Sequence, residues 1–220
     1  MIRKSQLVLF VVMALVLTAS VASAANLRWG AQAWGSWNTF SMSDWNTAID
    51  AANASGSNFD NINNGFAFGG GPTVMVNENW QFGAHYERLM AKKSEDQGTE
   101  VKPAANAFGV SGGYWFPSHS KMNLGLGASV DYIKLAGTLS DPTTSLDVHG
   151  SGVGGEVMGM ANWGFTPMFA GNFGAGYRFA KINIDDIGGQ NVTGSGFDSE
   201  DYSGLSLRAG FSLTQPASHK

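Results

Sequence analysis

Six charged residues set the chemistry open to this sequence: Arg28, Glu87, Asp131, Glu156, Arg178 and Arg208. Each sits on the polar parity of a segment that alternates apolar with small or polar residues, as Arg178 does between Tyr177 and Phe179. Glu87, Asp131 and Glu156 are expected at similar heights near Arg178, with Arg28 and Arg208 lower. Three acids and three arginines facing one interior can fill it with ion pairs, because buried charge has to be paired. The same residues could instead line a narrow ion path or gate. A second set has the opposite parity. In Tyr86-x-Arg88, Tyr132-x-Lys134 and Tyr177-x-Phe-x-Lys181 an aromatic ring is followed by a cation on the apolar face. Such a cation can meet a phosphate at a membrane interface or simply snorkel toward water. His149-Gly-Ser151 offers a base and a nucleophile, but Glu156, an acid further along that segment, has the other parity. No carboxylate orients the histidine, so no catalytic residue is assigned. The polar segments are rich in acids, among them Asp185, Asp186, Asp198, Glu200 and Asp201. None has the spacing of a calcium loop, so solvated loops are expected there, with no metal and no cofactor.

The elements that position these residues are short strands. Alternation of period two runs through residues 27–40, 65–76, 80–91, 105–116, 122–139, 146–165, 169–184 and 202–213. A soluble strand would bury its apolar parity, yet here the polar parity carries charges that a dry core would not accept. The segments therefore read as membrane strands, apolar outside and polar inside. The connections alternate as well. Residues 77–79, 117–121 and 166–167 make tight turns, whereas 41–64, 92–104, 140–145 and 185–201 are longer and more polar. Outward aromatics divide between strand ends. Trp29, Trp80, Phe82, Tyr114, Phe116, Trp163, Phe165, Phe169 and Phe211 lie toward the short turns, and Phe66, Phe68, Tyr86, Phe108, Tyr132, Tyr177 and Phe179 toward the long loops. Two aromatic bands are what two membrane interfaces select. The expected fold is all-β: an eight-stranded antiparallel up-and-down transmembrane β-barrel. In the first long loop, Ser43 as N-cap, Asp44 in the first turn and Trp45, Ile49 and Ala52 on one face predict a short helix over residues 44–54. That helix could lie on the membrane, lid the barrel or merely order the loop.

Residues 1–24 have the form of a secretory signal peptide, with Arg3 and Lys4, an apolar run from Leu7 to Leu17, and Ala22-Ser-Ala24 as cleavage site. The run is too short for a transmembrane helix. Two of the 13 basic residues, Arg3 and Lys4, leave with it, moving the formal net charge from −4 to −6. That balance argues against nucleic acid as a partner. The absence of cysteine excludes both a lipid-anchored N-terminus and a disulfide framework. One domain is expected over residues 25–214, with a short tail at 215–220. The 30 glycines suit a narrow lumen lined by small side chains.

On these strands and turns the chain resembles the small outer-membrane β-barrel superfamily of diderm bacteria, near the OmpA transmembrane domain and the OmpX-like and OmpW-like proteins. The last segment, Leu205-Ser-Leu-Arg-Ala-Gly-Phe-Ser-Leu213, is similar to the C-terminal signal read by the barrel assembly machinery, although here the chain continues past it. The resemblance implies the cell outer membrane as location, turns and both termini in the periplasm, and a non-enzymatic role in envelope integrity or in loop-mediated binding of an extracellular ligand. It also makes lipopolysaccharide the source of the phosphates facing Arg88, Lys134 and Lys181. A small pore or a hydrophobic-solute conduit is the alternative. A lipid A deacylase is a further one, because that family uses a similar His-x-Ser pair, but its flanking residues do not match here.

Overall fold

The computed structural model describes residues 27–118, 120–192 and 199–216. Its strands are β1 (Leu27–Thr39), β2 (Asn64–Val76), β3 (Trp80–Ala91), β4 (Ser94–Asp96), β5 (Thr99–Lys102), β6 (Ala104–Trp115) and β7 (Met122–Leu135). They continue with β8 (Gly137–Ser140), β9 (Ser145–Gly164), β10 (Phe169–Ile187), β11 (Gln190–Asn191), β12 (Ser199–Asp201) and β13 (Gly204–Thr214); one helix, α1, spans Ser43–Ala54. The proposed leader and most of the proposed tail lie outside the described residues.

Eight strands pair antiparallel in the order β1-β2-β3-β6-β7-β9-β10-β13, and β13 pairs back onto β1, so the sheet closes on itself. Inward-facing register partners can be followed from Arg28 through Met75, Gln81, Gly113, Gly127, Met158, Gly176 and Ser206. They return to β1 at Asn38, ten residues further along. A stagger of ten residues over eight strands corresponds to a tilt of about 40° and an interior only wide enough for side chains.

Alternation sets which face is which. The outward parity leaves large apolar side chains uncovered, among them Trp29 at 60% exposure and Phe66 at 63%. Water would not tolerate this belt, and lipid does. The β2–β3 connection is a three-residue turn, 77–79, in which Asn77 (φ 51) and Glu78 (φ 66) are both left-handed, the handedness that matches strand twist. Gly109 is needed for a different reason. A Cβ there would overlap the Asp131 carboxylate and press on the His85 ring, so the wall must be bare where those two side chains meet.

The barrel strands match the expected ones to within a few residues, with one exception. The segment expected as continuous over 122–139 breaks at Ala136, where β8 leaves the wall to pair with β9 and β5. The long loop over 92–104 contains the β4–β5 hairpin rather than irregular chain. The loop helix is present, but its cap differs. Met42, left-handed at φ 43 and fully buried, precedes the helix without a side-chain cap, and Ser43 is its first residue. Burial of the Met42 side chain fixes the entry angle expected of Ser43.

A closed ring has no edge from which to unravel. The folded chain is therefore expected to migrate faster unboiled than boiled in detergent gels. Identical migration, or helical circular dichroism, would contradict the closed β-ring.

Candidate functional site: a stratified lumen

The interior has three layers, and the middle one holds the charges. Arg178 on β10 faces Glu87 on β3, the strand diametrically opposite in the ring, with Nη2 2.5 Å from Oε2. The pair therefore spans the lumen. Glu156 is the direct cross-strand neighbour of Arg178, at 3.6 Å, and also accepts from Arg208 at 2.7 Å. Arg208 lies 3.7 Å from Glu87, so each acid is faced by both arginines. Trp34 completes the layer: its Nε1 donates to Glu87 at 3.1 Å, and the Arg208 guanidinium stands 4.4 Å over its ring. Glu87, Glu156 and Arg178 are buried. Two acids balanced by two arginines meet the requirement for pairing buried charge.

Two of the six expected network residues behave otherwise. Asp131 pairs with His85, Nε2 to Oδ1 at 2.8 Å, and accepts from Ser129 at 3.0 Å. His85 has inward parity, but its sequence context suggests no role for it. Arg28 makes no ion pair among the described residues and stands near the short-turn end. It is eight residues below Ser36, whose hydroxyl donates to Glu87 at 3.5 Å, so it lies about 20 Å lower along the barrel, too far for any side chain to bridge to Glu87.

Below the charge layer the lumen is not the solid polar core expected. A cavity of about 560 Å³ opens at the short-turn end, lined by Arg28, Gln32, Gln81, Asn162, Asn172 and the underside of Arg208. Small side chains and glycines on the inward parity leave this room. Above the layer the inward parity turns apolar. Leu89 follows Glu87, Ile133 and Leu135 follow Asp131, and Ala180, Ile182 and Ile184 follow Arg178, all of them buried. Met42, Trp45, Ile49 and Ile62 from the first long loop close this dome, so α1 is a lid. Ala52, expected on its buried face, is only half-buried.

Among the described residues the dome contains one buried acid. Glu200 on β12 is buried beside Trp45 and Tyr202. Burial pushes its carboxyl up to about 8, and hydrogen bonds from those two neighbours offset this only in part. Burial raises the Tyr202 hydroxyl as well. β12 pairs with residues 181–183 of β10, beyond Tyr177 and Phe179, which puts Glu200 above the outer aromatic band. In the sequence this acid reads only as one of a solvated loop.

On the outer surface Arg88, Lys134 and Lys181 all face outward, as expected, and Lys134 and Lys181 are exposed. A residue that the sequence does not single out joins them. Asn106 on β6 accepts from the Tyr86 hydroxyl at 2.8 Å and from Arg88 at 2.9 Å, and pairs in register with Arg88 on one side and Lys134 on the other. His149 and Ser151 are not joined by a hydrogen bond. Asp186 lies opposite His149 in register, but no side-chain bond links them among the described residues.

No protein-family model matches the sequence, and no curated protein matches it. Solved structures do. Neisserial surface protein A superposes with a TM-score of 0.52 at 17% identity, over 86% of this chain and 96% of that one. A major outer membrane protein from Thermus thermophilus gives 0.56 at 10% identity, over 86% and 99%. The chain has the fold of the small outer-membrane β-barrels. Within that fold the layered interior is written in this chain's own residues, since so low an identity carries the backbone and not the side chains.

Proposed function

We propose that the protein is a non-enzymatic barrel of a diderm outer membrane, sealed toward the outside, that contributes to envelope integrity by holding outer-leaflet lipopolysaccharide. The observation that carries this reading is the seal. The Arg178–Glu87 bridge crosses the lumen, and the apolar dome under α1 lies above it. Export by a cleaved leader and insertion by the barrel assembly machinery at the final strand belong to the same reading. So does presentation of the long loops to an extracellular ligand. Single-channel recording is expected to show no discrete conductance for the intact protein, and a stable unitary current would replace this reading with a pore.

A second reading is favoured by the cavity of about 560 Å³, which reaches from the short-turn end to the charge layer. A small pore or conduit would need only the bridge and the dome to part. The deacylase reading has less support, because His149 and Ser151 are not bonded to each other.

Arg88, Lys134 and Lys181 are the residues proposed to meet lipopolysaccharide phosphates. Each exposed cation near an anionic surface contributes about 1 kcal/mol. Replacing all three with glutamine should reduce co-purifying lipopolysaccharide and leave heat-modifiable migration intact. Unchanged retention would mean that these side chains only snorkel.

A further inference from the structure

Resting on the lipopolysaccharide reading above, we infer that Arg88, Asn106 and Lys134 form a single phosphate site. Lys181 then faces the second phosphate of the same diphosphorylated disaccharide headgroup.

Asn106 stands at the centre of the site. Its Oδ1 is taken by two donors from β3, the Tyr86 hydroxyl and the Arg88 Nη1. The carboxamide is thereby fixed, and its NH₂ is turned away from β3. Its register partner on the other side is Lys134. Three adjacent strands thus present a guanidinium, an amide NH₂ and an ammonium in one row about 10 Å wide. Every outward group in that row is a donor. The outward positions of β3, β6 and β7 carry no carboxylate anywhere along the wall. A phosphate has acceptors on all sides and is the chemistry such a row recognises. Beneath the row, Tyr86 packs against Phe108 with ring centroids 5.2 Å apart, and Tyr132 pairs with Phe108 in register. Rings at an interface with an all-donor row just above them place the phosphate at headgroup depth rather than among acyl chains.

Lys181 is not part of that row. Its register partners are Asp201 on β12, with which it makes no ion pair among the described residues, and Val153 on β9, which pairs with Tyr132, one pair below Lys134. The stagger of ten residues over eight strands lifts a row by one and a quarter residues per strand. Two strands on, Lys181 comes level with Lys134, about 10 Å to its side. An anion at Lys181 is therefore separate from the first but at the same depth. A disaccharide with a phosphate at each end, lying along the barrel wall, meets both. A glycerophospholipid has one phosphate and meets only the first.

The test is native mass spectrometry of the intact detergent-solubilised protein with diphosphoryl lipid A, monophosphoryl lipid A, phosphatidylglycerol or inorganic phosphate added. The wild type should retain diphosphoryl lipid A about fivefold better than the monophosphoryl form, the contribution of one interfacial cation. Lys181→Gln should abolish that preference while leaving the monophosphoryl form bound. Asn106→Asp, which puts an acid between the two cations, should weaken both lipids about tenfold. Asn106→Thr gives the same reading with less disturbance, and heat-modifiable migration reports whether each variant is folded. Equal retention of the two lipid A forms by the wild type would overturn the assignment of Lys181. Undiminished binding by both Asn106 variants would overturn the three-residue site. Displacement by phosphatidylglycerol or phosphate as effective as by lipid A would overturn the glycolipid. If the triple glutamine variant sheds lipopolysaccharide while the Asn106 and Lys181 variants do not, this assignment fails and the broader reading stands. If the triple variant keeps it, both fall.

Discussion

Replacing Glu87 with alanine is expected to destabilise the barrel by about 3–5 kcal/mol, the cost of leaving buried charge without its partner. Glu87 neutralises Arg178 across the lumen, faces Arg208, and accepts from Trp34. Its removal leaves Arg178 with Glu156 alone, at 3.6 Å. Urea unfolding in lipid vesicles would measure the loss. A second substitution, Arg178→Met, should recover part of it, because the stranded cation goes too. Glu156→Ala should behave similarly through Arg208. Asp131→Ala should be rescued less by Arg178→Met, since Asp131 is held directly by His85 and Ser129 and faces Arg178 only at longer range. Strict additivity of Glu87→Ala and Arg178→Met would mean that the two do not interact, and an open, wet lumen would follow.

The second large effect is a pH dependence of the lid. The Glu200 carboxyl sits at about 8 in the folded dome against 4.5 for an unperturbed glutamate. A folded value above the unfolded one means that protonation favours the closed dome. The contribution is complete below pH 4.5 and declines as pH rises. It is lost once pH passes about 8, at a slope of about 1.4 kcal/mol per pH unit between those limits. Hydrogen exchange of the α1 amides should therefore accelerate from pH 5 to pH 8 beyond the intrinsic change with pH. Glu200→Gln, which keeps the shape and removes the titration, should flatten that excess. An excess that persists in Glu200→Gln would assign it to another group.

The barrel itself was legible because alternation of period two repeats eight times and the aromatics sort to strand ends. No soluble packing rewards both patterns together. The placement of Glu87, Glu156, Arg178 and Arg208 inside followed from the same parity. The partners did not, because parity gives the face and the stagger between strands gives the height. Arg28 could be grouped with Glu87 only while that stagger was unknown. The apolar dome had a readable sign, the change of inward residues from Glu87 to Leu89 and from Asp131 to Ile133. Without knowing that Met42 and Trp45 fold back over it, that change looks like strands leaving the membrane. Glu200 gave no local sign. Its burial depends on Trp45, which is distant in sequence, folding over it and its near neighbour Tyr202.

That dependence constrains the order of assembly. The Met42 amide donates to Asp201 at 2.9 Å, the Ser41 amide to Ser203 at 3.1 Å, and the Ser199 hydroxyl to Asp44 at 2.7 Å. All of these join the first connection to the segment just before the last strand. A helix of 12 residues is marginal in water on its own. Ordering of α1 therefore waits on β12 and β13, and Trp45 becomes a clock for closure: its transfer from water into the dome marks the moment the last strand meets the first.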